Sequence, residues 1–166
     1  AELDGVHIHD ETAAVEGAGY SIALFLGGLS EAAEFSLNDV VVEDNTATGA
    51  GQVFSSLNVF AGASVDATNV TFRGNEMDVE WCVTPGLFGY GVAAGTYRNI
   101  DIRDNRCTAE GEAYAGGFWH FGESETTTLD VENLVVAGNT LEAGEDLYAG
   151  WILDVGGTAS YTKVTV

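Results

Sequence analysis

Four stretches of the chain superimpose without a gap: Asp39-Val-Val-Val-Glu-Asp-Asn45, Asn69-Val-Thr-Phe-Arg-Gly-Asn75, Asn99-Ile-Asp-Ile-Arg-Asp-Asn105 and Asn133-Leu-Val-Val-Ala-Gly-Asn139. Their first residues lie 30, 30 and 34 positions apart. Moving back 34 from Asp39 reaches Gly5, which opens Gly5-Val-His-Ile-His-Asp-Glu11, and moving forward 30 from Asn133 reaches Lys163, which opens Lys163-Val-Thr-Val166. A period of this size marks a stack of supersecondary units, each of which buries its apolar face only against its neighbours. The chain is therefore expected to form a single domain over residues 1–166, with about five coils starting near Gly5, Asp39, Asn69, Asn99, Asn133 and Lys163.

Inside each repeat the apolar residues alternate. Val40 and Val42, Val70 and Phe72, Ile100 and Ile102, and Leu134 and Val136 are spaced by two, which puts each pair on one face of a strand. A second apolar column, Leu3, Leu37, Ala67, Tyr97, Val131 and Tyr161, precedes it. Inward residues at 37 and 40 are three apart rather than two, so the chain has to bend between them. The residues at that bend are Gly5, Asp39, Asn69, Asn99 and Asn133, the types that most readily take a positive φ. A further column, Asn45, Asn75, Asn105 and Asn139, closes each second strand, where stacked amides can bond from coil to coil. Glycines at 19, 51, 86, 117 and 150 then open a third wall. Hairpins of an antiparallel sandwich would demand tight turns every 8–12 residues, and the constant kink does not follow from them.

Three short strands per coil with an Asn bend resemble the right-handed parallel β-helix of the pectate-lyase-like superfamily, and the resemblance runs along essentially the whole chain. Phe72-Arg-Gly-Asn75 is similar to the Phe-x-x-Asn motif of the polymorphic outer-membrane-protein repeats, a passenger and surface-protein class. The resemblance implies an all-β solenoid. Several members of the superfamily cleave acidic polysaccharides, but the Asn-x-Asp, Asp-Asp, Gly-His-Gly and Arg-x-Lys strings of polygalacturonase-like enzymes do not occur here. No catalytic residue is assigned, and a non-enzymatic member is expected.

Charge narrows the partners. The formal net charge is −21, and Lys163 is the single lysine, which argues against nucleic acid, polyphosphate or an anionic membrane. With 46% hydrophobic residues and one proline the chain is not disordered, while its carboxylates suit salty or calcium-containing water. The longest apolar stretch, Tyr20 to Leu29, is about half of a bilayer span. The expectation is a secreted or cell-surface protein that does not insert into a membrane.

Each candidate site has a chemical reading and a plainer one. Arg73 and Arg103 form an outward column beneath Glu43, with Asp101 on the same face; a lyase would use such an arginine as base, whereas an exposed ladder of ion pairs is the simpler reading. His7 and His9, two apart and followed by Asp10 and Glu11, have chelating spacing, but a cross-coil contact of His9 with Glu43 is preferred, and no metal site is assigned. His120 reads as a packing residue. Tyr20, Leu87, Phe118 and Trp151, with Phe88 and Trp119 beside them, offer either a sugar-stacking wall or, preferentially, a core ladder. Cys82 and Cys107 fall on the loop-bearing corner of neighbouring coils and are candidates for a disulfide staple. Asn69-Val-Thr71 has the form of a glycosylation sequon at a bend, read as accidental. Asp44, Asp104, Glu110, Glu112, Glu142, Glu145 and Asp146 admit calcium, although solvation of a salt-adapted surface is the simpler explanation; no other cofactor is expected.

The two ends repeat the same walls. Val164 and Val166 of one chain match Val6 and Ile8 of another, so head-to-tail stacking would continue ladder and core without interruption and would not close. These four residues are the candidate self-association site of a structural β-helix that builds a homopolymeric filament or surface fibre. Carbohydrate binding or cleavage through the aromatic wall or the arginine face, with glycans as partners, is the alternative, and an adhesin passenger fragment is the third reading.

Overall fold

The structure is a computed structural model. It describes residues 2–17, 19, 21–27, 33–53, 55–60, 64–114, 116–121, 127–148, 150, 152–156 and 158–166. Strands, with no helix among the described residues, stack in parallel as a β-solenoid. The first sheet holds β1 (Glu2–Asp4) and β2 (His7–His9) in its first rung, then β5 (Glu34–Glu43), β8 (Ser64–Arg73), β11 (Ala94–Arg103), β14 (Thr128–Ala137) and β17 (Thr158–Thr162). The second is β3 (Thr12–Ala14), β6 (Thr46–Val53), β9 (Glu76–Cys82), β12 (Arg106–Ala109) and β15 (Thr140–Ala143). The third is β4 (Ser21–Gly27), β7 (Ser55–Phe60), β10 (Leu87–Tyr90), β13 (Phe118–Phe121) and β16 (Ile152–Val155). Five rungs in the second and third sheets make about four turns from first to last, slightly fewer than the five coils the repeat suggests.

Register follows the repeat in the first sheet: Val42 pairs Phe72, Phe72 pairs Ile102 and Ile102 pairs Val136. Asp39, Asn69, Asn99 and Asn133 all have φ between 53 and 56°, and Gly5 and Lys163 occupy the same bend at 61 and 55°. A second left-handed column stands immediately before the Asn ladder, at Asp10, Asp44, Gly74, Asp104 and Gly138. Two aspartates open this column, and from Asp44 onward Asp and Gly alternate. A Cβ on Gly74 would meet Asp44 Oδ1, and one on Gly138 would meet Asp104 Oδ1, so each of these aspartates covers the glycine of the next rung.

The main core fills the space between the first and third sheets, with Leu37, Val42, Phe72, Tyr97, Ile102, Leu57, Leu87 and Phe118 fully buried. The second sheet contributes a smaller cluster of Ala47, Val53, Met77, Val79, Ala109 and Ala113 around Cys82 and Cys107.

Three positional expectations are corrected. Gly86 and Gly117 directly precede β10 and β13, and Gly19 and Gly150 stand two residues before β4 and β16, but Gly51 lies in β6 of the second sheet, where a Cβ would strike Val15 and Gly17. In the third sheet Phe118 pairs Ile152, and Leu57 pairs both Leu87 and Leu24, so the aromatic column is not continuous; Tyr20 and Trp151 lie outside the described residues. The cysteines are not on a corner loop either. Both are buried in second-sheet strands and joined as a disulfide. Cys107 pairs Met77, while Cys82 ends the same strand as Met77. The inward positions 77, 79 and 82 break parity, and this second bend turns Cys82 back towards the neighbouring rung.

Candidate functional site

The Asn ladder runs as a continuous bonded column through the interior. Asn45, Asn75 and Asn105 are buried, and the Nδ2 of each donates to the Oδ1 of the next, ending on Asn139, at 2.9 Å every time. Each ladder amide also donates to a backbone carbonyl of the rung before: Asn75 to Val42, Asn105 to Phe72 and Asn139 to Ile102. The bend residues form a second, exposed ladder running the other way, Asn133 to Asn99 to Asn69 to Asp39, at 2.8 Å per step. Donation along this ladder commits the Asn69 amide to Asp39.

The outer face of the first sheet carries the charged column. Arg73 donates to Glu43, and His7 Nε2 lies 2.7 Å from the other oxygen of the same carboxylate. His9 is in register with Glu43 but bonds elsewhere: its Nδ1 is 2.8 Å from Asp10, and the contact to Glu43 comes from His7. The Arg73 hydrogen bond, then that of His7, holds the Glu43 carboxyl below its ordinary range, while Asp10 raises the pKa of His9. Arg103 bonds Asp101 at 2.5 Å. Arg98 sits between Asp66 and Asp130 at 3.9 and 3.7 Å, Arg106 is 3.4 Å from Glu142, and Lys163 is 3.4 Å from Glu132.

These pairs engage all five basic side chains of the chain. A depression of about 640 Å³ over the same sheet is lined by Glu2, Glu34, Ser36, Asp66 and Thr96 together with apolar and small residues, and no cation. The lining of the depression presents carboxylates and hydroxyls, with Arg98 beside it at 3.9 Å from Asp66.

The aromatic side chains divide between core and surface. Leu87 and Phe118 are fully buried, which takes the expected wall inside, and Phe118 packs edge-on against Tyr97, ring centroids 5.3 Å apart. His120 is buried beside Gly89, its Cδ2 lying 3.4 Å from where a Cβ would stand. A different set lines a corner next to the second sheet. Tyr114 stacks on Tyr148 at 4.8 Å and on Trp119 at 5.5 Å, and meets the edge of Trp81 at 5.2 Å. Glu112 accepts hydrogen bonds from Trp81 Nε1 and from the Tyr114 hydroxyl. Burial and the Glu112 bond raise the pKa of Tyr114; the charge of Asp146 does so for Tyr148. Sequence reading missed Trp81, Tyr114 and Tyr148. The 34-residue offset from Tyr114 to Tyr148 was the signal, hidden because they fall outside the aligned seven-residue blocks.

At the ends, Val6, Ile8 and Val164 are half-buried, and Val166 is 64% exposed. Leu147, Tyr148, Tyr161 and Val166 are the exposed large hydrophobic residues among those described, and all belong to the last turn. Among the described residues no group of three or more His, Cys, Asp or Glu side chains is arranged around a common ion position, so the acidic loop residues form no preformed calcium cage there. No described helix is long and apolar enough to cross a membrane.

Comparison of the chain with known protein families, with curated proteins and with solved structures finds no match.

Proposed function

We propose that the chain is a non-enzymatic structural β-helix of the pectate-lyase-like kind, secreted or displayed at a cell surface, whose copies associate end to end. The observation that carries this reading is the concentration of exposed apolar side chains on one turn: Leu147, Tyr148, Tyr161 and Val166. A second copy is the occupant that fits them. Lys163 and Gly5 share the positive-φ bend, and Val164 and Val166 match Val6 and Ile8, so a neighbour stacked on the first sheet would meet bend with bend and valine with aliphatic residue. The first sheet has six rungs and the other two have five among the described residues. Contact through the first sheet therefore leaves a space one rung high, about 4.8 Å, beside the second and third sheets. Leu147 and Tyr148 border that space, and the uninterrupted junction expected from the sequence becomes a strand contact plus an apolar plug. A disulfide and a carboxylate-rich surface support an oxidising, extracellular setting.

Negative-stain electron microscopy and analytical ultracentrifugation of wild type and of Val164→Lys/Val166→Lys test the reading. Unbranched fibres one solenoid wide from wild type, and monomers with unchanged β-sheet circular dichroism from the variant, are expected. Monomeric wild type, or assemblies that persist in the variant, would overturn it.

The corner of Trp81, Tyr114 and Tyr148 favours a second reading, glycan binding. A groove of about 370 Å³ at this corner is lined by Gln52, Glu80, Trp81, Gly111, Glu112 and Glu145, which couples an aromatic edge to groups that accept hydrogen bonds from sugar hydroxyls. A glycan array with wild type and Tyr148→Ala tests it, and equal signals from the two would exclude this corner.

A further inference from the structure

We propose that His7 and His9 chelate a divalent transition ion of the zinc, nickel or copper class. The period of β2 places both imidazoles outward on either side of Ile8, with ring centroids 4.4 Å apart and planes 39° from parallel. Rings this close put one nitrogen of each within reach of a shared ion.

What distinguishes this pair from two solvated histidines is the state of the other two nitrogens. His7 Nε2 is bonded to Glu43 at 2.7 Å, and His9 Nδ1 to Asp10 at 2.8 Å. A metal-bound imidazole almost always donates its second N–H to a carboxylate or carbonyl, which selects the tautomer and makes the ligating nitrogen more basic. Both carboxylates stand in that role here, leaving His7 Nδ1 and His9 Nε2 to take the ion. Their positions are themselves fixed. Glu43 is held from the next rung by Arg73, and Asp10 follows His9 directly at a left-handed bend with φ of 56°.

Access and ion class follow from the same geometry. The two side chains are 48 and 52% exposed, so an ion enters without local unfolding, and water or an external ligand completes its coordination. Imidazole nitrogens select zinc, nickel and copper over calcium and magnesium, which prefer oxygen. Because the carboxylates bind through the histidines and not the ion, this is a two-nitrogen chelate and not a cage of three or more convergent ligands.

A chain of charge −21 concentrates any cation, so chelation has to be measured above that background. The experiment is calorimetric titration of the whole chain with zinc and with copper(II), in a large excess of magnesium, for wild type, His7→Ala, His9→Ala and Glu43→Gln. Circular dichroism serves as the folding control, since all three side chains lie on the outer face. One saturable equivalent is expected in wild type. Each histidine variant should weaken it by far more than tenfold, and Glu43→Gln by about tenfold, as for loss of an outer partner. Copper(II) electron paramagnetic resonance should report two imidazole nitrogens. No saturable binding above the magnesium background, binding unchanged in His7→Ala, or a one-nitrogen spectrum would each overturn the chelate.

Discussion

Asn75 donates twice to one atom: its backbone N–H and its side-chain amide both bond Asn105 Oδ1, at 3.0 and 2.9 Å. Asn105 passes the pattern on to Asn139 and also donates to Phe72 O. Truncating Asn105 thus takes the acceptor from the Asn75 N–H and from one of the two Asn75 amide protons, and the amide donor from Phe72 O. Each such orphan costs on the order of 1–3 kcal/mol, so Asn105→Ala should destabilise by at least about 3 kcal/mol. Asn69→Gly, which removes two exposed ladder bonds whose partners can turn to water and keeps the positive φ, should cost about 1 kcal/mol or less. Urea unfolding of both variants measures the contrast. Equal losses would mean that the exposed ladder matters as much as the buried one.

The disulfide gives a second prediction. Cys82 and Cys107 close a loop of 25 residues, which corresponds to about 3 kcal/mol of chain entropy removed from the unfolded state. Cys82→Ala/Cys107→Ala should lower stability by roughly that amount, with a small further loss from the cavity in the second-sheet cluster. Reduction of wild type under mild urea should bring the two unfolding curves together, and a wild type insensitive to reductant would contradict it.

The repeat made the first sheet legible residue by residue, because its inward columns and its bend obey simple parity and steric rules. In the third sheet four of the five glycines stand just before strand starts, and the coil of Gly51 departs for a physical reason. Glycine records where backbones approach, as Gly51 does against Gly17, and such contacts occur on any wall. Parity also breaks a second time in β9, between Val79 and Cys82, where no Asn or Gly marks the turn. That unmarked bend is why the cysteines were expected on a loop. Side-chain pairing was partly visible: the Glu43–Arg73 pair follows from register, but the choice of His7 over His9 as the partner of Glu43 depends on Asp10, which captures the nearer ring. Of the Trp81, Tyr114 and Tyr148 corner, only the 34-residue offset of the two tyrosines was readable, since its members come from segments between the repeat blocks.

Tyr97 predicts alkaline behaviour. It is fully buried, its hydroxyl has no hydrogen-bond partner among the described residues, and burial pushes its pKa well above the ordinary 10.0. A pKa raised in the fold contributes stability that is present below the unfolded value and lost as pH climbs from there towards the folded value. Wild type should therefore lose stability above about pH 10. Tyr97→Phe should move that limb upward and, by deleting an unsatisfied hydroxyl, leave neutral-pH stability unchanged or raise it by about 1 kcal/mol. Thermal melts across the alkaline range provide the check; an unshifted limb would place the sensitivity elsewhere.

Glu43 predicts the acid side. Its folded pKa is held below the ordinary 4.5, first by Arg73 and then by His7. A depressed carboxyl pKa contributes stability above the unfolded value that disappears as pH falls through the folded one. Glu43→Gln should accordingly flatten part of the stability loss between about pH 5 and about pH 2, with the two proteins converging at the acid end. Urea midpoints over that range decide it, and parallel curves would mean that Glu43 is not a contributor.

Charge sets the last expectation, which concerns assembly. The first turn carries Glu2, Asp4, Asp10 and Glu11, and the last carries Glu142, Glu145 and Asp146, so the two ends meet with like sign in a chain of net charge −21. Apolar contact by Val166, Leu147 and Tyr148 has to overcome that repulsion. Screening shortens the reach of exposed charges from about 10 Å at 0.1 M salt to about 3 Å at 1 M. End-to-end association should therefore strengthen as salt rises, the reverse of an interface held by surface ion pairs. Sedimentation velocity across a sodium chloride series follows the change. Association that weakened with salt would show that the ends attract through charge, and would shift the contact from the valines to the Lys163–Glu132 pair and its neighbours.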